Sequence, residues 1–207
     1  MEPRICIFAK APVAGQVKTR LAAEIGDTAA LAIYLHMLSR TIMRLTAPGW
    51  RTELWVTPDD AARTGATWPG HLPRMAQGDG DLGQRMARPL RLARPDAPVI
   101  VVGSDIPALA ARHVDQALQA LRSAPMAFGP SRDGGFYLVA SRAPPPPGLF
   151  AGVTWSSETT LSESLATCME EPALIETLDD LDDLAALERH RAEPDRRDLG
   201  DMIRPDG

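Results

Sequence analysis

The sequence predicts an α/β protein with a mainly parallel central sheet. Three observations carry that expectation. Short apolar runs of strand length alternate with longer stretches of helical period. The segment 98–103, PVIVVG, is apolar at consecutive positions, as a central strand covered on both faces must be. Each strand-like run passes quickly into Gly, Pro or Asp, which end regular structure and open loops. Such alternation implies βαβ units.

The first element is a strand over residues 4–9, short and apolar, followed by a loop with Pro12 and Gly15. Residues 28–45 predict a helix, because Leu31, Tyr34, Leu35, Leu38, Ile42 and Leu45 recur on one face. Pro48-Gly49 ends it. Residues 52–57 alternate and carry Trp55 and Val56, which suits a second strand. Residues 58–73 read as loop. A helix over 82–92 should be kinked or ended by Pro89. After the strand at 98–103, residues 112–124 predict a helix with Val114, Ala117, Leu118 and Leu121 on its apolar face. Two strands, 126–128 and 136–140, flank a loop at 129–135. Four prolines at 144–147 make an extended connector. Helices are expected over 158–169 and 181–190, with a strand at 173–178 between them.

The totals fit one domain over residues 1–193, followed by a charged tail over 194–207. The 207 residues, 44% hydrophobic and 24% charged, can bury a core without a disulfide or structural metal. A net charge of −5 argues against nucleic-acid binding, which needs a broad basic footprint. Cys6 and Cys168 read as reduced thiols, and the four scattered histidines as structural or surface residues. Residues 1–8 are too short an apolar run for a signal-peptide core, and no run reaches membrane-spanning length. The expectation is a cytoplasmic protein with no membrane partner.

In a parallel sheet the ligand site lies beyond the carboxyl ends of the strands, which directs attention to the loops there. The loop after the first strand carries Gly15, Lys18 and Arg20. Gly15 allows close backbone approach, and two cations at a helix start suit phosphate. An ordinary turn with two solvated cations is the competing reading. The Gly-x4-Gly-Lys-Ser/Thr spacing of a P-loop is absent. Asp105 follows the central apolar strand, where a carboxylate could hold a hard cation against substrate phosphate. A turn-forming Asp is the alternative. Asp133-Gly134-Gly135 marks a sharp bend or a ligand-facing backbone, or a plain hairpin turn. In Gln77-Gly78-Asp79-Gly80-Asp81, the Gln77 amide could read a base edge, while Asp81 suits a helix cap. The run Asp179-Asp180-Leu181-Asp182-Asp183 exceeds what capping needs, so one of its carboxylates could reach a metal.

Taken in order, FAKAPVAGQVKTRLA, QGDGDLGQRM, VVGSDIPAL and FGPSRDGGFYLVA resemble the bacterial DUF2064 glycosyltransferase-like family of the GT-A nucleotide-diphospho-sugar transferase superfamily. The resemblance runs over residues 4–190 and extends to 2-phospho-lactate guanylyltransferases. It implies a GT-A-type three-layer α/β/α sandwich that binds a nucleotide with Mg²⁺ or Mn²⁺. By resemblance, Gly15, Lys18 and Arg20 match the phosphate-binding loop, Gln77 and Gly78 the nucleobase segment, and Asp105 the metal-binding Asp. Asp133-Gly134-Gly135 matches the motif near sugar or acceptor, with Asp133 as candidate base. Asp180 and Asp182 resemble the Asp-x-Asp that completes the metal site. The chain departs from the pattern at Trp155-Ser156-Ser157 and at Asp183-Leu184, which follow more closely on Asp182 than in the family.

The implied reaction is sugar transfer from a nucleotide-sugar to a small-molecule acceptor. The alternatives are nucleotidyl transfer from an NTP, or nucleotide binding without catalysis. On this reading Asp105→Asn removes metal-enhanced nucleotide binding and leaves the melting temperature of the apo protein unchanged.

Overall fold

The computed structural model describes residues 2–63 and 68–192, so the expected tail lies outside the described residues. Among the described residues seven strands form one sheet: β1 (Arg4–Lys10), β2 (Arg51–Thr57), β3 (Arg74–Ala76), β4 (Val99–Val102), β5 (Met126–Pro130), β6 (Phe136–Ser141) and β7 (Ala173–Leu174). Six α-helices among the described residues accompany them: α1 (Thr19–Ile25), α2 (Asp27–Leu45), α3 (Leu82–Leu90), α4 (Ala111–Ala120), α5 (Thr160–Ala166) and α6 (Leu184–Ala192).

The strand order is β3-β2-β1-β4-β6-β5-β7. Every neighbouring pair is parallel except those made by β6, which runs antiparallel to both β4 and β5. The mainly parallel sheet is therefore as expected, with one reversed strand inserted. That insertion makes the segment between β5 and β6 a hairpin turn at the edge where β1, β2 and β4 end.

The two faces of the sheet bury different sets, as the period of two requires. Ile5, Ile7, Ala9, Leu54, Val56, Ile100 and Val102 meet Tyr34, Leu38, Ile42 and Leu45 of α2 and Val114 and Ala117 of α4. Cys6, Trp55, Val99, Val101, Phe128 and Val139 meet Met86 and Leu90 of α3 and Phe150. Helix α2 is buried on a second side as well. Ile33 and Met37 pack with Leu21, Leu181 and Leu187 in a third cluster. The sequence pattern marks only the first side.

Local chemistry sets the helix limits. Asp81 caps α3 through a reciprocal box: its Oδ1 accepts from Gln84 N at 2.8 Å, and its N–H donates to Gln84 Oε1 at 3.1 Å. Pro89 sits in the last turn of α3, which stops one residue later. The expected strand at 173–178 shortens to Ala173–Leu174, because Leu178 instead bridges Ser131 in the β5–β6 turn. Residues 74–76, read as part of no element, form the edge strand β3. Both cysteines are free. His113 is buried, its Nδ1 accepting from Ala110 N at 3.0 Å to close the start of α4, which is a structural duty.

Candidate active site

The chain lays β2 and β3 on one side of β1 and then returns to lay β4 on the other. The strand order reverses between β1 and β4, and the crevice beyond their carboxyl ends is the usual ligand position in such sheets. Lys10 ends β1 with its side chain exposed. Tyr34 of α2 holds that strand end from both sides. Its hydroxyl donates to the Lys10 carbonyl at 2.7 Å and accepts from the Lys10 N–H at 2.9 Å. Burial, with the charge of Asp105 added, pushes the Tyr34 phenol above its ordinary range, so it stays neutral.

Lys18 is the centre of the site. Its Nζ lies 2.8 Å from Asp105 Oδ1 and 2.8 Å from Asp182 Oδ1, and it donates to the Leu181 carbonyl at 2.5 Å. The Asp105 contact is ionic and falls outside hydrogen-bond geometry. The Lys18 side chain is only 3% exposed, whereas those of Asp105 and Asp182 are 44% and 48% exposed. Burial alone would lower the Lys18 pKa; Asp105 and Asp182 outweigh it and hold the ammonium above the ordinary lysine value. Lys18, expected from the sequence as a solvated or phosphate-facing cation, is in this conformation sequestered by carboxylates. The helix it precedes, α1, has seven residues, so its dipole contributes little of the anion attraction expected there.

The acidic run reaches this point because Leu181 N donates to the Asp105 carbonyl at 3.0 Å, and Leu178 N to the Pro130 carbonyl at 3.0 Å. Asp180 thereby enters a crowded field. Burial first, then Asp133 and Asp182, raise its pKa from 3.8 to about 6, partly offset by Lys18. The folded chain thus binds this proton more tightly than the unfolded chain. Its charge opposes folding above about pH 6, and the opposition is relieved as pH falls from about 6 to 3.8. Asp180→Asn is expected to stabilise the apo protein at pH 8 by about 1 kcal/mol, discounted for a half-exposed group, or roughly 2–4 °C in Tm. Thermal scans at pH 8 and about pH 4.5 check this: the gain should shrink at the lower pH, and an equal gain at both would refute the repulsion.

Asp133 is exposed, and its Oδ1 accepts from Gly135 N at 2.9 Å and from Ser131 Oγ at 2.5 Å. The carboxylate therefore closes its own turn, as the plainer hairpin reading has it. Gly134 has φ +86°, and a Cβ there would lie 2.2 Å from the Glu158 carbonyl oxygen. Its glycine is required by packing against residue 158, which gives a structural reason where the resemblance implies a substrate contact. At Gly135 a Cβ would lie 3.2 Å from both Asp133 Oδ1 and Ser131 Oγ.

Gln77, the expected base reader, has internal partners. It is buried, and its Nε2 donates to the carbonyls of Trp55 at 2.9 Å and Ala9 at 3.4 Å. The amide that was to read a base edge stitches the ends of β1 and β2 together. Gly78 donates its N–H to Asp59 Oδ1 at 2.8 Å, and a Cβ on it would collide with the Arg88 guanidinium. That guanidinium in turn donates to the Gln77 and Asp79 carbonyls. Gly15 and Arg20 are both exposed near the crevice. Among the described residues Arg20 has no ion pair or hydrogen bond.

The structure thus brings together Lys18, Asp105, Asp180, Asp182 and Asp133, and gives Gln77 and Gly78 separate structural bonds. Sequence reasoning missed Lys10 and Tyr34 as site residues. Lys10 carried a usable signal, a cation directly after a buried strand. Tyr34 is hidden among the apolar positions of α2.

A hard cation fits the carboxylates present. Among the described residues no three His, Cys, Asp or Glu side chains converge into a ready metal site. Asp105 and Asp182 nevertheless both reach one nitrogen, so one cation can bridge them. Mg²⁺ commonly takes one or two carboxylates and completes its shell with water and substrate phosphates.

The fold and part of the sequence are shared with known proteins. The chain is 26% identical, with a TM-score of 0.80, to a protein of Desulfovibrio desulfuricans G20 proposed to be a nucleotide-diphospho-sugar transferase, covering 98% of this chain and 94% of that one. The manganese complex of Rv0371C from Mycobacterium tuberculosis H37Rv has the same fold, with a TM-score of 0.52 and 13% identity over 91% of this chain and 97% of that one. A phosphoenolpyruvate guanylyltransferase of Mycolicibacterium gilvum (strain PYR-GCK) is 32% identical over 123 residues, 56% of this chain and 58% of that protein. The alignment thus spans little more than half the length of this curated relative. No described helix is long and apolar enough to cross a membrane. Residues 41–157 match the family described as "Uncharacterized protein conserved in bacteria (DUF2064)". That match takes in the β4 end with Asp105 and the whole β5–β6 turn, and the chain belongs to the DUF2064 family.

Proposed function

We propose that the chain is a transferase that works on the diphosphate of a nucleotide-sugar, on one domain spanning residues 1–193. The observation that carries this is the pair of carboxylates, Asp105 and Asp182, gathered on one cation at the point where the strand order reverses. A divalent cation there, Mg²⁺ or Mn²⁺, would neutralise the charge that develops on a diphosphate leaving group. Asp105 and Asp182 would hold it, with Asp180 beside them. Mn²⁺ is the ion to try first, because the M. tuberculosis neighbour is a manganese complex.

The exposed cations Lys10 and Arg20 flank the crevice and supply the phosphate clamp, with Gly15 allowing the loop to approach. Asp133, close enough to Asp180 to raise its pKa, would take the proton of an acceptor hydroxyl as that oxygen bonds to the sugar carbon and the carbon–phosphate oxygen bond breaks. A base-binding role for Gln77 and Gly78 would require existing bonds to be exchanged, since the Gln77 Nε2, N–H and carbonyl and the Gly78 N–H are all engaged.

A second reading, nucleotidyl transfer, is favoured by the guanylyltransferase relative. There a phosphorylated or carboxylated acceptor attacks the α-phosphate of an NTP, and pyrophosphate leaves. The same carboxylates and cations serve, because both reactions need a clamped diphosphate.

Product analysis separates the two after a thermal-shift panel of nucleotides and nucleotide-sugars with and without Mn²⁺. Free nucleoside diphosphate identifies sugar transfer, and pyrophosphate identifies nucleotidyl transfer. Binding without turnover across the panel would leave a nucleotide-binding protein without catalysis. Arg20→Ala is expected to weaken nucleotide binding by about 1.5–3 kcal/mol, the scale of a hydrogen bond to a charged group. Because the side chain is exposed, the apo Tm should not move. Unchanged affinity in calorimetric titration removes Arg20 from the clamp.

A further inference from the structure

We infer that Lys18 is an internal counter-ion that keeps Asp105 and Asp182 closed to metal until a nucleotide phosphate draws its ammonium away, so that metal and nucleotide bind interdependently. The inference rests on the reading that these two carboxylates hold the cation.

Each contact of Lys18 speaks to the exchange. Its Nζ stands 2.8 Å from an oxygen of each carboxylate, which is the place a bridging cation would take. An ammonium and a divalent cation cannot share that place, because their repulsion in a poorly solvated site is strong. The ammonium donates to the Leu181 carbonyl and to Asp182, and the Asp105 charge lies equally close, so it is held by three partners at once. In this arrangement its charge is already answered by two carboxylates before any phosphate arrives. The side chain cannot serve both the carboxylates and a ligand at once.

The backbone shows which way the exchange can run. Lys18 has φ 50° and ψ 44°, in the left-handed region that residues with a Cβ rarely occupy. The three polar contacts hold it there, and leaving them allows the residue to relax. It stands at the hinge between the exposed loop 13–16 and α1, and its stem of four methylenes gives it reach. A phosphate entering beside Gly15 and Arg20 offers the ammonium a new anion. Asp105 and Asp182, left with two uncompensated charges, then take the divalent cation. Each ligand thereby removes the obstacle to the other, which is a coupling between two sites and is reciprocal.

The test measures Mn²⁺ binding by electron paramagnetic resonance on the apo protein, with and without GDP or UDP. Wild type should bind Mn²⁺ weakly alone and at least about tenfold more tightly with nucleotide. Lys18→Met, folded by circular dichroism, should bind Mn²⁺ without nucleotide at least about tenfold more tightly than wild type, with the nucleotide enhancement largely gone. The gain should vanish in the Lys18→Met/Asp105→Asn double variant. Equal or weaker Mn²⁺ binding by folded Lys18→Met and by Lys18→Gln overturns the inference.

If neither variant folds, the ¹⁵N signal of the Lys18 ammonium in wild type decides. It should persist with Mg²⁺ alone and shift on saturation with Mg²⁺ and GDP; no shift at saturation overturns the exchange. Failure of wild type to bind any nucleotide would instead refute the proposed function, while metal binding by Lys18→Met still reports on the competition.

Discussion

Asp105→Asn is expected to abolish metal-enhanced nucleotide binding and to lower the melting temperature of the apo protein. The two effects have separate causes. Asn keeps the shape of the side chain at the end of β4 but removes the charge that faces the cation, and an amide oxygen is a far weaker partner for a hard divalent ion. Transferase turnover should fall by about 10²–10³-fold, the scale seen when one preorganised electrostatic contact is removed from a developing charge.

The stability effect replaces the sequence expectation that the apo Tm would stay as it was. Asp105 lies 2.8 Å from an ammonium that is 3% exposed, so its charge is part of the fold. Breaking a buried pair outright costs about 3–5 kcal/mol; here Asp182 remains and Asp105 is nearly half-exposed, so roughly 1–2 kcal/mol is expected. That is a fall of about 2–8 °C for a chain of this length. Calorimetric titration of nucleotide with and without Mn²⁺ reads the first effect, and a melting scan of the apo protein reads the second. Full metal dependence in the Asn variant would move the cation to Asp180 and Asp182. An unchanged Tm would mean that Asp182 alone suffices for Lys18.

The largest expected loss of stability comes from Gly134→Ala. The backbone there has φ +86°, where a Cβ is disfavoured by about 1–2 kcal/mol before any neighbour is considered. The neighbour is backbone: the new Cβ would lie 2.2 Å from the Glu158 oxygen, 2.5 Å from its Cα and 2.6 Å from its carbonyl carbon. A flexible side chain could swing away, but this strand of backbone is itself fixed by Leu161 N donating to the Gly134 carbonyl at 2.8 Å. The turn must open, and Asp133 moves with it. A destabilisation of about 3 kcal/mol or more is expected, or roughly 6–12 °C in Tm. Thermal or urea unfolding measures it; a change under about 1 kcal/mol would show that residues 157–160 yield easily.

How much of this was legible in the sequence depended on how local the cause was. The ends of β1, β2 and β4 are marked by apolar runs that stop at polar or glycine residues, and the Asp81 cap needs only the Gln84 three residues on. The inner side of α2 follows from its period, through Tyr34, Leu38, Ile42 and Leu45. Its other side, Ile33 and Met37, is apolar because α1 and α6 cover it, and no periodicity announces a helix that packs from far along the chain. The reversal of β6 between β4 and β5 is likewise a matter of pairing rather than of composition. At the site, residue types pointed to the right loops, yet pairing decided their use. Lys18 looks like a free cation until the residues 163 and 164 positions later are brought beside it. Gln77 looks like a reader of bases until the carbonyls of Ala9 and Trp55 claim its amide.

The separation of Lys18 from Asp182 also bears on the order in which the chain can mature. Residues that complete the crevice leave the ribosome 164 positions apart. At about 5–20 residues per second, that interval is roughly 10–30 s. Throughout it, β1 through β6 can assemble while the Lys18 ammonium lacks both Asp182 and the Leu181 carbonyl. Its burial cannot be completed on those terms, because a desolvated cation needs its full set of partners. The nascent protein therefore carries an open, hydrated version of the crevice until the segment with Leu181 and Asp182 docks. Competence waits for the arrival of Leu181 and Asp182 at strand ends that precede them in the chain.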